Sequence, residues 1–295
     1  NIANYKELPM LIFGAKTKMK LDPEEHIKIV GKSKEQDLID FMKQHYHAGR
    51  TVVTICGDYN KIQALKIIKS ELKDIPKSDS LIQRIINPIK TGVFPKIKHI
   101  VDGKRKVTKI SLIFHCFNSF ELSKKYALRL LTNILFRIGD KSILFSRLRT
   151  KLGIAYSPYA ESSFYPQFGL FAFKVDVEPK NIELALKELS LIIKELKNNL
   201  IPSNLIKLAK SRAKFDVKES LYNINPSKYF TYSNQILDNE KIMNPETLYQ
   251  DFYSKYNAGH MKKISIEVFK KNKCYLTTVG NNSLSVTKMR NLLTF

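Results

Sequence analysis

The apolar positions of this chain find a regular rhythm only after an irregular start that includes "EEH" at Glu24–His26, read as solvated. Ser33 and Gln36 have the spacing of a capping box, and Leu38, Phe41, Met42 and His45 follow at helical intervals, so a helix is predicted over "EQDLIDFMKQHYH". "TVVTICGD" reads as a buried strand ending in a Gly-Asp turn, and Ile62, Leu65, Ile68 and Leu72 mark a second helix. The pattern dissolves between Pro76 and Pro95, which predicts a linker. Beyond it, "KIKHIVDG" and "KVTKISLIFHCF" read as neighbouring strands, the second turning Ile110, Leu112, Phe114 and Cys116 to one side. A long helix is predicted over "ELSKKYALRLLTNILFRI", and another over "KSILFSRLRTKLG" that stops at Gly153. Two strands then flank "SSFYPQFG": the Tyr156 segment, made an edge or bulged strand by Pro158, and "LFAFKVDV" with Phe171, Phe173, Val175 and Val177 alternating. Helices fill most of the remainder, and the chain closes on the strand "KCYLTTVG" and a short helix around "SVTKMRNLL".

This order contains a repeat. A helix, the run "TVVTICGD" and the helix after it match a later helix, "KCYLTTVGNN" and its closing helix: an apolar strand, Gly with Asp or Asn, then a helix. The second copy ends a complete α+β unit and the first ends a unit whose beginning lies elsewhere. The expected division is 1–78 as the end of a truncated α+β unit, 79–95 as linker, and 96–295 as a complete α+β domain. The chain is therefore expected to be part of a longer protein.

Composition adds limits. With 295 residues and 43% hydrophobic content the chain can build real cores, and its longest apolar runs are too short to cross a bilayer. A soluble protein is expected, cytoplasmic or periplasmic if its source is bacterial. The net charge of +23 raises nucleic-acid binding as a function class, but the lysines are spread over the polar faces of every helix, with no basic arm, finger spacing or aromatic RNA-binding signature. A solvated lysine-rich surface or a wall that attracts acidic polypeptides fits that spread better. Cys56, Cys116 and Cys274 lie in apolar strand-like runs and read as small buried hydrophobes.

Catalytic sets are conspicuously missing. The histidines are His26, His45, His47, His99, His115 and His260, and no two have the spacing of H-x-x-E-H or H-E-x-x-H. His115 sits in its strand as a satisfied structural histidine. No nucleophile elbow, Walker loop or dinucleotide glycine fingerprint occurs. What remains is an arginine, Arg149, seven residues before a tyrosine, Tyr156, with Gly153 between. Arg147, Arg149 and Lys151 can be a solvated helix end that suits the dipole, with Tyr156 an ordinary half-buried residue; a paired cation and phenol presented for chemistry is the other reading.

The stretch Ser142–Leu189, "SILFSRLRTKLGIAYSPYAESSFYPQFGLFAFKVDVEPKNIELALKEL", resembles the non-zinc domain of the pitrilysin/insulinase family of zinc metallopeptidases (inverzincins). "DLIDFMKQHYHAGRTVVTICGDYNKIQALKIIKSELKDIP" is similar to the end of the preceding family unit. The resemblance implies an α+β fold, an antiparallel-rich sheet with helices packed on one face. It also implies a carboxyl-terminal region without the zinc-binding domain, and hence no cofactor held by this chain, with zinc in the missing amino-terminal part. The implied partners are that zinc-bearing half, in the same protein or as a partner subunit, and peptide substrates. Arg149 and Tyr156 match the family's transition-state and substrate-backbone donors, while Phe164, Tyr165 and Phe168 follow as candidate substrate-wall residues or core. Three functions are thereby set against one another: the substrate-binding part of a zinc metalloendopeptidase, inactive alone; a non-catalytic scaffold or peptide-binding subunit of the same fold; and, more weakly, nucleic-acid binding through the basic surface.

Overall fold

The alternation read in "ISLIFHC" and "LFAFKVDV" forms the middle of a five-stranded sheet in the computed structural model. The structure describes residues 7–15, 17, 22–77, 94–222, 226–238, 241–243 and 245–295; the expected linker falls almost wholly outside them. Two compact units are present, one formed by residues 1–21, 87–217 and 246–295, the other by 22–86 and 218–245.

In the first unit, β1 (Lys96–Ile100), β2 (Thr108–Cys116), β3 (Tyr159–Phe164), β4 (Gly169–Val177) and β5 (Cys274–Val279) are arranged in the order β1-β5-β2-β4-β3. Only β1 and β5 run parallel; β2 pairs antiparallel with both β5 and β4, and β3 pairs antiparallel with β4. One face of β2, β4 and β5 carries Ile110, Leu112, Phe114, Phe171, Phe173, Val175 and Leu276, all buried. On that face lie α5 (Leu122–Thr132), α6 (Ile182–Asn198) and α10 (Ala258–Val268). The apolar stripe of α6, from Ile182 through Leu186 and Leu189 to Ile193 and Leu196, has the 3–4 spacing that keeps one side of a helix dry. Phe114, Phe171 and Phe173 meet Phe269 with ring centroids 5.1, 5.2 and 5.5 Å apart, the centre of this core. Helices α7 (Ser203–Tyr222), α9 (Pro245–Asp251) and α11 (Val286–Leu292) complete the order. The other sheet face is polar except at one end. There the short helix α1 (Leu8–Phe13) sets Ile12 and Phe13 on Ile113, Ala172, Phe168 and Tyr275.

The second unit holds α2 (Pro23–Lys32), α3 (Glu35–His45), α4 (Lys61–Glu71) and α8 (Pro226–Leu237). Not one residue of α2, α3 or α4 is buried; Phe41 is 55% and Ile62 80% exposed. Residues 51–56, expected as a buried strand, pair with no strand among the described residues, and Cys56 is exposed, not buried as read from the sequence. A strand's polar backbone needs strand neighbours, and among the described residues none pairs with this run, which meets α8 through the Thr54 and Ser233 hydroxyls, 2.6 Å apart. The repeat is nonetheless preserved in backbone detail. Gly57 after this run and Gly280 after β5 have φ of +129° and +130°, a conformation open to glycine alone, and a capped helix follows each.

Three further expectations need correction. The irregular start contains α1 and α2; Asp22 caps α2, with Pro23 in its first turn and Glu24 and Glu25 set favourably at the dipole, a start signal that includes the "EEH" stretch. Ser33 closes α2, its hydroxyl donating to the Ile29 carbonyl at 2.9 Å, so the cap of α3 moves one residue on: the Lys34 N–H donates to the Asp37 carboxylate at 2.8 Å. Tyr156 lies before β3, since Pro158 has no N–H to give to a ladder and pairing begins at Tyr159.

Candidate functional site

The helix expected to stop at Gly153 is wound as a π-helix over Phe145–Lys151, with the Leu152 N–H reaching back five residues to the Arg147 carbonyl at 3.1 Å. Such segments are rare and recur at functional sites. Leu148 is fully buried and anchors the segment, and Arg147 ion-pairs with Glu188 and Glu195 of α6. Gly153, at φ +63°, then turns the chain, its N–H donating to the Arg149 carbonyl at 3.1 Å.

The turn brings Tyr156 back onto Arg149. The guanidinium lies 4.6 Å from the Phe145 ring centre and 4.5 Å from that of Tyr156, between the two rings, and its Nη1 donates to the Tyr156 carbonyl at 3.1 Å. Stacking holds the planar cation without using up its donors, which is what separates this arrangement from an ion pair. Tyr156 is 78% exposed, and its hydroxyl has no partner among the described residues. Thus one predicted pair is adjacent and open to solvent. Phe145, four residues before Arg149, was not singled out from the sequence; its i, i+4 spacing to the arginine was the available signal.

The three aromatic candidates separate. Tyr165 and Phe168 pack together at 4.9 Å between ring centres and line a cavity of about 400 Å³ between α1 and the sheet. Phe164 alternates to the helix side of β3, where it stacks on Phe117 at 5.8 Å.

His115 stacks on Phe168 at 6.5 Å, and its buried Nε2 has no hydrogen-bond partner among the described residues, so within them the histidine expected to be satisfied is held by packing. Burial, helped by nearby Lys273, lowers its pKa to about 4 and keeps it neutral near pH 7. Burial likewise pushes the Cys116 thiol up to about 12. Among the described residues no three His, Cys, Asp or Glu side chains converge as a metal site. The described residues therefore do not fit a catalytic zinc. Nor is any helix among the described residues long and apolar enough to cross a membrane.

Comparison with known proteins agrees with this fold. A protein of Rickettsia felis named "Uncharacterized zinc protease" is 26% identical over 222 residues, covering 74% of this chain and 48% of its own length. The chain thus spans about half of that relative. A protease from Helicobacter pylori superposes with a TM-score of 0.77 at 16% identity, over 95% of this chain and 68% of its own. A peptidase M16 inactive domain from Pseudomonas fluorescens does so with a TM-score of 0.75 at 19% identity, over 95% and 65%. Residues 34–213, more than half the chain, match the family described as peptidase M16 inactive domain. From that match and the sheet built around it, the chain belongs to the pitrilysin/insulinase (M16) family of zinc metallopeptidases, as a domain of the inactive type.

Proposed function

We propose that this chain is the substrate-binding, zinc-free part of a metalloendopeptidase that degrades or processes peptides, and that it cleaves nothing alone. The observation that carries the proposal is the Arg149 guanidinium held between Phe145 and an exposed Tyr156. Peptide-bond attack would occur in a zinc-bearing half, in the same protein or a partner subunit, where the metal supplies a Lewis acid. The task left to this chain is to grip the substrate backbone and donate hydrogen bonds to oxygen as negative charge builds there. A guanidinium and a phenol suit it because both keep their protons near neutral pH. Each such donor contributes on the order of 3 kcal/mol in a water-poor site. The exposed apolar helices of the second unit, and the unpaired run 51–56 that repeats β5, support a covering partner of the same unit type.

The test is reconstitution. The chain alone should leave a quenched fluorescent peptide intact, and adding a zinc-bearing half should start cleavage. Arg149→Ala and Tyr156→Phe should then each lower turnover more than tenfold with unchanged circular dichroism. Full turnover in both variants refutes the assigned role. A complex that forms yet never cleaves establishes the scaffold reading instead.

A further inference from the structure

The cavity beside α1 has a definite construction that the Arg149–Tyr156 pair does not use. Its floor is sheet, with Ile113, Leu170 and Ala172; Leu8 and Ile12 of α1 form the opposite wall, and Tyr165 and Phe168 close one end. Along β3 the rim is polar: Ser163 faces it, and Glu161 is ion-paired with Lys174. At about 400 Å³ the space lies within the range of roughly 300–1,000 Å³ typical of pockets that enclose a ligand group.

β3 is also the edge strand, with no strand on its outer side among the described residues. Its outward N–H and C=O groups are a template for an extended chain. A peptide added there would run about 4.8 Å from β3 and send alternate side chains to the face on which Glu161 and Ser163 stand. That face opens on the cavity. Followed back along the chain, β3 leads through bends at Ser157 and Tyr156 to the donor pair, Tyr156 lying five residues before Glu161, so cavity and pair are neighbours in sequence but not on one straight strand.

We infer that this cavity is a side-chain pocket for an extended peptide that pairs with the β3 edge, takes an apolar anchor residue into the cavity and carries acidic rather than basic flanks. The apolar floor and walls select the anchor. The flanks follow from charge: the Glu161–Lys174 pair leaves the rim near neutral, whereas the chain as a whole carries +23, so an acidic peptide is drawn in and a basic one repelled. The inference deepens the peptide-binding reading above and rests on it. It assigns selectivity for an apolar anchor residue held apart from the bond that the donor pair would grip.

The test is fluorescence anisotropy with the whole chain and a labelled nine-residue glycine–serine peptide bearing one central phenylalanine and an aspartate at each end. It should bind at least tenfold tighter than the same peptide with serine for phenylalanine, and at least threefold tighter than one with lysine ends. Ser163→Trp, which fills the cavity from its rim, and Leu170→Asp, which charges its floor, should each weaken binding at least fivefold; circular dichroism confirms that at least one is folded. Equal binding of the phenylalanine and serine peptides overturns the inference, as does wild-type binding in a folded pocket variant, or sedimentation showing the β3 edge covered by a second copy. The two readings fail separately: phenylalanine-selective binding with turnover indifferent to Arg149 and Tyr156 removes the catalytic donors and keeps the pocket. The reverse pattern removes the pocket alone.

Discussion

Replacing Gly169 by alanine challenges the packing that sets the cavity end of the sheet. Gly169 opens β4, is buried, and pairs with Cys116 on one side and Phe164 on the other. A Cβ there would lie 2.1 Å from the Phe117 carbonyl oxygen and 2.8 Å from Cys116 Sγ, where ordinary contact begins at 3.4 Å. The first obstacle is backbone, which cannot swing aside as a long side chain would. The ladder between β2 and β4 must part at that end, and the cost belongs at the upper end of overpacking, about 3 kcal/mol. For a unit of about 200 residues each kcal/mol lowers Tm by roughly 2–4 °C, so a fall of about 6–12 °C is expected. The chain has no tryptophan, so far-ultraviolet circular dichroism during denaturant and thermal unfolding is the suitable assay. A loss below about 1 kcal/mol would refute the close approach of β4 to Phe117 on which the placement of Phe168 depends.

Other predictions follow from the same geometry. Gly153→Ala meets open space but holds φ +63°, so its cost is torsional, about 1 kcal/mol, readable in the same unfolding experiments. With a thiol reagent, Cys56 should react at once, whereas Cys116 and Cys274 should react only on unfolding, because burial both shields their thiols and pushes their pKa values up; protection of Cys56 on adding a zinc-bearing half would locate the partner on the second unit. His115 is lowered in the folded state from 6.5 to about 4, so the unfolded chain takes up its proton first as pH falls. Its contribution is complete above pH 6.5 and lost progressively toward pH 4, about 1–2 kcal/mol after allowance for solvent screening, and His115→Phe should flatten Tm against pH across that window.

What was legible in the sequence was legible for a physical reason. A sheet covered by helices on one face writes its alternation into β2 and β4, and α6 writes its dry stripe at helical spacing, so fold class and core could be read directly. Strand order could not. β5 enters between β1 and β2 from about 160 residues further along the chain, and no local pattern encodes such a pairing. The run 51–56 carries the residues of a buried strand, but strandness depends on neighbours that the pattern cannot supply. At the site, the spacing of Arg149, Gly153 and Tyr156 announced the pair, while the π-helical winding and the Phe145 stack that hold it emerged only in three dimensions. Tyr165 and Phe168 shared one loop in sequence with Phe164, and period-two alternation put Phe164 on the other side of the sheet.

Under the proposed function, Arg149 and Tyr156 act on a transition state formed with a zinc-bearing half. The direct measurement is steady-state kinetics of that reconstituted pair with Arg149→Ala and Tyr156→Phe. The expected result is kcat at least tenfold lower in each variant with KM changed by less than about threefold, the signature of an interaction made as charge develops. Unchanged kcat in both variants, whatever happens to KM, would contradict it.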